Sequence, residues 1–145
     1  VMADSIIRVD DPLLIKGRSV LVIEDGPTLT HGQMTYGAGL LAARMEGAGT
    51  IVDPRPYAVG EIAATLQKWP KLTEVIPAMG YSEAQIRDLE RTIELSDAQT
   101  VVTGTPIDLR RVMKIDKPVA RVFYDLEEHE KKLEKIIRER VLKVD

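Results

Sequence analysis

SVLVIEDGPTLTHGQMTYGAG, residues 19–39, decides how the rest of the chain is read. Residues 19–23 form an unbroken apolar run bounded by polar residues, the pattern of a strand buried on both faces. From Ala38 to about Met45 the residues are small and apolar, and Gly47 and Gly49 end the helix they predict. A connection that only packs a strand against a helix takes about 2–6 residues. Here 13 residues separate Ile23 from Gly37, and Asp25, Gly26, Thr28, Thr30, His31, Gly32, Tyr36 and Gly37 lie on that path. A long, polar, glycine-rich loop after a buried strand is the leading candidate for a site.

Outward from this stretch, strands and helices alternate. Residues 50–52 predict a short strand stopped by Asp53-Pro54-Arg55-Pro56, and 59–68 a helix with Val59, Ile62, Ala63 and Leu66 on one face. A strand lies within 74–79. Ser82 and Gln85 make a capping box at the head of a helix that reaches about Leu95. Residues 100–103 are a strand, Asp108 caps a short helix through Met113, and 119–124 are a further strand. Residues 126–142 predict a long amphipathic helix with Leu133, Ile136, Ile137 and Val141 inside. Residues 1–18 read as an irregular lead-in arm with a turn opened by Pro12, and 19–145 as a single α/β domain, cut from a longer chain. Short apolar strands alternating with helices predict a three-layer, Rossmann-like α/β domain: a mainly parallel sheet of about five strands flanked by helices.

Composition narrows the function. A net charge of −3 lacks the basic footprint of a nucleic-acid binder. With no Cys, disulfides and thiolate metal sites are excluded. No run of 18 apolar residues predicts a membrane span, and the start lacks a signal peptide's pattern, so the cytoplasm is expected. Charged residues at 30% and the absence of Asn lean towards a thermophile.

In open α/β sheets ligands bind beyond the C-terminal ends of the strands. Asp25, Arg55 and the residues from Thr103 to Asp108 are expected at that edge. Glu24 and Asp25 point to opposite faces if the strand continues, so only one carboxylate serves the site. Asp25, at the head of the loop, can hold Mg²⁺ together with substrate phosphates; it is equally a turn former before Gly26-Pro27. Gly26 and Gly32 let the backbone approach a phosphate, with Thr28, Thr30 and Tyr36 adding hydroxyls. His31 is a phosphate donor or general acid/base, or else a loop-packing imidazole. Arg55, between two prolines, is a phosphate clamp or a partner for a nearby acid. Thr105 and Arg110 are second-tier ligand contacts or parts of a capped turn. Gly37 to Ala42 matches the dinucleotide pattern G-x-G-x-x-A, but Gly37 stands too far from the strand for that role, leaving a helix N-terminus suited to an anion. No Walker A motif is present.

VDDPLLIKGRSVLVIEDGPTLTHGQMTYGAG, IVDPRPYAVGEI, IPAMGYSEAQIRDLE and VVTGTPIDLRRV together resemble the C-terminal part of a prokaryotic family of predicted GTPases related to cyclic 2,3-diphosphoglycerate synthetase. The family's HGGMPYGAG is here HGQMTYGAG, with Gln33 and Thr35. The resemblance implies an upstream P-loop domain that supplies ATP or GTP, and an anionic phosphorylated metabolite as ligand. It makes this chain the substrate- or phosphate-binding part of a phosphoryl-transfer enzyme, inactive alone. The alternative is a non-catalytic dimerisation or regulatory domain that docks on the P-loop domain.

Overall fold

The computed structural model describes residues 7–26, 37–78, 80–105 and 107–124. The strands are β1 (Ile7–Val9), β2 (Ser19–Asp25), β3 (Thr50–Ile51), β4 (Ile76–Ala78), β5 (Thr100–Thr103) and β6 (Val119–Tyr124). The helices are α1 (Ala38–Met45), α2 (Gly60–Lys68) and α3 (Glu83–Leu95), with 3-10 turns at Pro12–Leu14 and Leu109–Arg111. This is the expected α/β fold, a mostly parallel sheet flanked by helices. The C-terminal helix expected over 126–142 lies outside the described residues.

The sheet is organised on β2. Val20 to Ile23 are wholly inaccessible to solvent, as a strand covered on both faces demands. Strand order is β1-β6-β5-β2-β3, and β4 also pairs with β2. β2 changes neighbour along its length. Its first residues pair with β3 (Ser19 with Thr50), and its last pair with β4 (Asp25 with Ala78). On its other side β5 runs alongside from Val20 to Ile23, and β6 follows in parallel. Pro77 sits inside β4, where the missing N–H is tolerated because the strand is marginal to the sheet.

β1 falls in the stretch expected to be an irregular arm. It pairs antiparallel with β6, Ile7 opposite Tyr124. A three-residue strand leaves no periodicity to read, and its partner lies more than a hundred residues away.

Local chemistry sets the helix ends. Ser82 Oγ accepts from Gln85 N at 3.3 Å, the expected cap of α3. At the other end of α3, the Lys117 ammonium donates to Ser96 O at 2.6 Å, Ser96 Oγ at 3.1 Å and Ala98 O at 2.8 Å. A cation there satisfies carbonyls near the end of the helix and complements its dipole. α1 buries Leu40 together with Gly39, Ala42 and Ala43, and these last three are small residues that let it lie close on the sheet.

The strand order defines a position. From β2 the chain moves to β3 on one side; from β4 it crosses to β5 on the other. The order therefore reverses between β2 and β5, and ligand sites of open α/β sheets form outside the C-terminal strand ends at such a point. Asp25 and Thr103 end the two strands that flank it.

Candidate functional site

Glu24 is the first residue to account for. It is the penultimate residue of β2 and only 1% exposed. Its carboxylate accepts from Gly37 N at 2.9 Å, Gly39 N at 2.9 Å and Leu40 N at 2.8 Å. It thus binds the N-terminus of α1, where amides without helical partners and the positive end of the dipole meet an anion. Burial pushes the carboxyl above its ordinary value and the Asp25 charge adds to the rise, while the three amides pull it down. The fit is close: a Cβ on Gly39 would stand 2.8 Å from Glu24 Oε1. One on Gly104 would overlap the same oxygen and stand 2.8 Å from Gly39 N. Gly104 N also donates to Ile23 O at 2.8 Å, which draws the end of β5 onto β2.

The expected anion site at the head of α1 therefore holds an anion supplied by the chain itself. Gly37, a phosphate-binding candidate in the sequence, has its N–H engaged by Glu24. The sequence does carry a sign of this: a Glu that continues a buried apolar strand, followed by a G-x-G at a helix start, needs donors, and those amides are the available ones.

Asp25, one residue on, lies half-buried on the opposite face of β2. Tyr81, which the sequence reading did not select, sits beside it. Burial pushes the Tyr81 phenol above its ordinary value, the Asp25 carboxylate pushes the same way, and contact with the Thr105 side chain offsets part of the rise. Thr105 is buried and its hydroxyl donates to Ile107 O at 2.8 Å. Asp25, Tyr81 and Thr105 thus bring together the ends of β2, β4 and β5 at the reversal of strand order. Gly26 is buried directly after β2. A Tyr three residues past the end of a short strand gives little to read in sequence, because its relevance depends on β4 joining β2.

The two arginine candidates behave alike. Arg55 Nε and Nη2 reach Asp53 Oδ2 at 3.0 and 2.6 Å, while its backbone N–H bonds Asp53 Oδ1 at 3.0 Å. Arg110 Nε and N–H meet Asp108 Oδ1 at 3.2 and 3.1 Å, so Asp108 caps its turn as expected. The pairing with Arg55 and the pairing with Arg110 hold the Asp53 and Asp108 carboxyls below their ordinary values. Tyr57 lies against Asp97, and Val59 N bonds Thr92 Oγ1 at 3.4 Å, contacts that lead towards the N-terminal end of β5. The Arg55 guanidinium is taken up by Asp53.

Thr28, Thr30, His31, Gly32 and Tyr36 lie outside the described residues. Among the described residues no group of three His, Asp or Glu side chains gathers as a metal site. Asp25 would suit Mg²⁺ only where ligand phosphates completed the coordination, the usual arrangement for that ion. No helix among the described residues is long and apolar enough to cross a membrane.

No family model matches the chain, and no solved structure matches it. A curated protein of Thermococcus kodakarensis, named arginine synthetase ArcE, is 56% identical to it over 138 residues. The match covers 94% of this chain and 31% of that protein. The chain thus corresponds to about a third of the relative's length, and its likeness is to part of a synthetase larger than itself.

Proposed function

We propose that the chain is the substrate-side α/β domain of a nucleotide-dependent synthetase, binding an anionic, phosphate-bearing ligand across the ends of β2, β4 and β5. The observation that carries this reading is the convergence of Asp25, Tyr81 and Thr105 at the reversal of strand order. The identity to an arginine synthetase supports it. Building a guanidinium from a less nitrogen-rich carbonyl carbon requires an oxygen to leave, and a phosphate ester makes that oxygen a leaving group. Phosphoryl transfer asks a protein mainly for positioning and charge neutralisation. Asp25 would orient the ligand or hold Mg²⁺ with its phosphates. Tyr81, whose phenol burial and Asp25 push still further from ionising, is a hydroxyl donor. His31 and the amides around Gly26 and Gly32 would complete the cradle. ATP or GTP would come from a P-loop domain elsewhere in the protein. The likeness to the cyclic 2,3-diphosphoglycerate synthetase relatives agrees in reaction class and differs in substrate; a phosphorylated intermediate common to both is the ligand class favoured here.

One observation favours the alternative of a docking or dimerisation module: Glu24 fills the α1 N-terminus that a phosphate would otherwise use. The test is nucleotide-dependent phosphate release and arginine formation by the intact gene product. Asp25→Asn is expected to lower both by about 100-fold or more, the scale of a lost electrostatic contact in an active site. Tyr81→Phe should lower them less. Turnover within two-fold of wild type in both variants would leave the docking module as the better reading.

A further inference from the structure

On the Asp25 side the sheet edge carries two buried polar groups that no other described residue satisfies. Thr103 ends β5, and its register partner on β6 is Arg121. Thr103 also pairs with Ile23 on β2. Paired residues of neighbouring strands share a face, and alternation puts Asp25 on the face of Ile23. Thr103, Arg121 and Asp25 therefore belong to one side of the sheet, at its C-terminal end. Thr103 is 1% exposed. Neither its Oγ1 nor Arg121 Nε, both buried, has a hydrogen-bond partner among the described residues.

Arg121 is held in place by an aromatic ring and one long ion pair, and its backbone N–H donates to Asp10 Oδ1 at 2.8 Å. Its guanidinium carbon lies 4.8 Å from the centroid of the Phe123 ring. Its Nη1 is 4.0 Å from Asp108 Oδ2, a carboxylate already forked by Arg110. The side chain is 21% exposed. Buried polar groups are as a rule hydrogen-bonded and buried charges paired, so two adjacent exceptions at a strand end call for a cause. A stacked guanidinium on a four-fifths buried side chain, with an unmet N–H next to an unmet hydroxyl, is complementary to a tetrahedral oxyanion.

We propose that Thr103 and Arg121 form a phosphate subsite on the Asp25 side of the sheet. The Thr103 hydroxyl and Arg121 Nε donate to phosphate oxygens and the guanidinium supplies the countercharge. The subsite is separate from the α1 N-terminus, which Glu24 fills. It rests on the reading of this edge as the substrate side, and it gives that side its phosphate specificity.

Inorganic phosphate is the probe, titrated into the 145-residue chain at constant ionic strength in chloride, with melting temperature and calorimetric binding as readouts and acetate as the carboxylate control. Wild type is expected to bind phosphate and to be indifferent to acetate. Thr103→Val removes only an unsatisfied hydroxyl, so the ligand-free melting temperature should hold or rise while phosphate binds about 10-fold more weakly. Arg121→Lys keeps the charge and loses the Nε–H, and should weaken binding by about 10-fold or more. No phosphate binding by wild type, equal binding of acetate, or full binding retained in either variant would overturn the proposal. Binding here is read without catalysis, so it fails separately from the proposed function. Phosphate binding that depends on Thr103 and Arg121, together with turnover indifferent to Asp25, would sink only the proposed function. The converse pair of results would sink only the subsite.

Discussion

Replacing Glu24 tests the centre of the fold. Glu24→Ala strips three N–H groups of their acceptor, at 2.8–2.9 Å. An unmet buried donor costs about 1–3 kcal/mol. A lost helix N-cap measured by itself costs about 0.5–2 kcal/mol, because water reaches part of the exposed turn. Gly39 N and Leu40 N lie in buried surroundings and Gly37 N is part-buried, so the sum falls near 4 kcal/mol. Glu24→Gln is the sharper variant. Its one carbonyl oxygen can take the place of Oε2, which serves both Gly37 and Leu40, but its amide NH₂ then faces Gly39 N, donor against donor. A loss of about 2 kcal/mol is expected. The assay is urea denaturation of the 145-residue chain, reading the midpoint with the slope checked for constancy. Hydrogen exchange at Gly37, Gly39 and Leu40 should accelerate in both variants. If Glu24→Gln costs less than about 0.5 kcal/mol, or if those amides exchange as in wild type, the carboxylate does not anchor α1 and this account of the strand–helix junction is wrong.

Three further outcomes are expected. Gly104→Ala drives a methyl group into Glu24 Oε1 and the Gly39 amide, and should cost about 1–3 kcal/mol of overpacking, seen in the same urea titration. Lys117→Met removes three bonds to the end of α3 and should cost about 1–2 kcal/mol; an unchanged thermal midpoint would show that water replaces the ammonium. The Tyr81 phenol titrates above its ordinary value of 10.0, pushed up by burial and by the Asp25 carboxylate. Because that charge disfavours the phenolate, Asp25→Asn should move one phenol of the alkaline ultraviolet titration down towards 10.0, and Tyr81→Phe should remove that phenol; a curve unaffected by Asp25→Asn would separate the two side chains.

Sequence exposed the framework because periodicity and local chemistry set it. β5 and β6 and helix α1 fall where apolar runs and small residues put them, and the Ser82 and Asp108 caps are made by the residues expected to make them. β2 runs two residues further than the apolar run, through Glu24 and Asp25, because α1 supplies donors for the buried carboxylate. β1 was hidden because three residues carry no pattern and their pairing is non-local. The site divides along the same line. Asp25 and Thr105 were legible as polar residues at strand ends. Thr103, too, was expected at that edge; Tyr81 and Arg121 were not, since their proximity comes from strand order and register. The reach of Asp53 to Arg55 and of Asp108 to Arg110 is a two-residue geometry that sequence leaves open between clamp and turn.

β2 exchanges β3 for β4 half-way along, while β5 follows its other side. The tip bearing Glu24 and Asp25 therefore hangs in neither direction: Asp25 is registered against Ala78, and Gly104 N is tied back to Ile23 O. A carboxylate on such a tip has its main chain immobilised before anything arrives. A ligand that met Asp25 would forfeit none of its affinity to ordering that backbone, and discrimination between near-identical anions could then rest on fractions of an ångström.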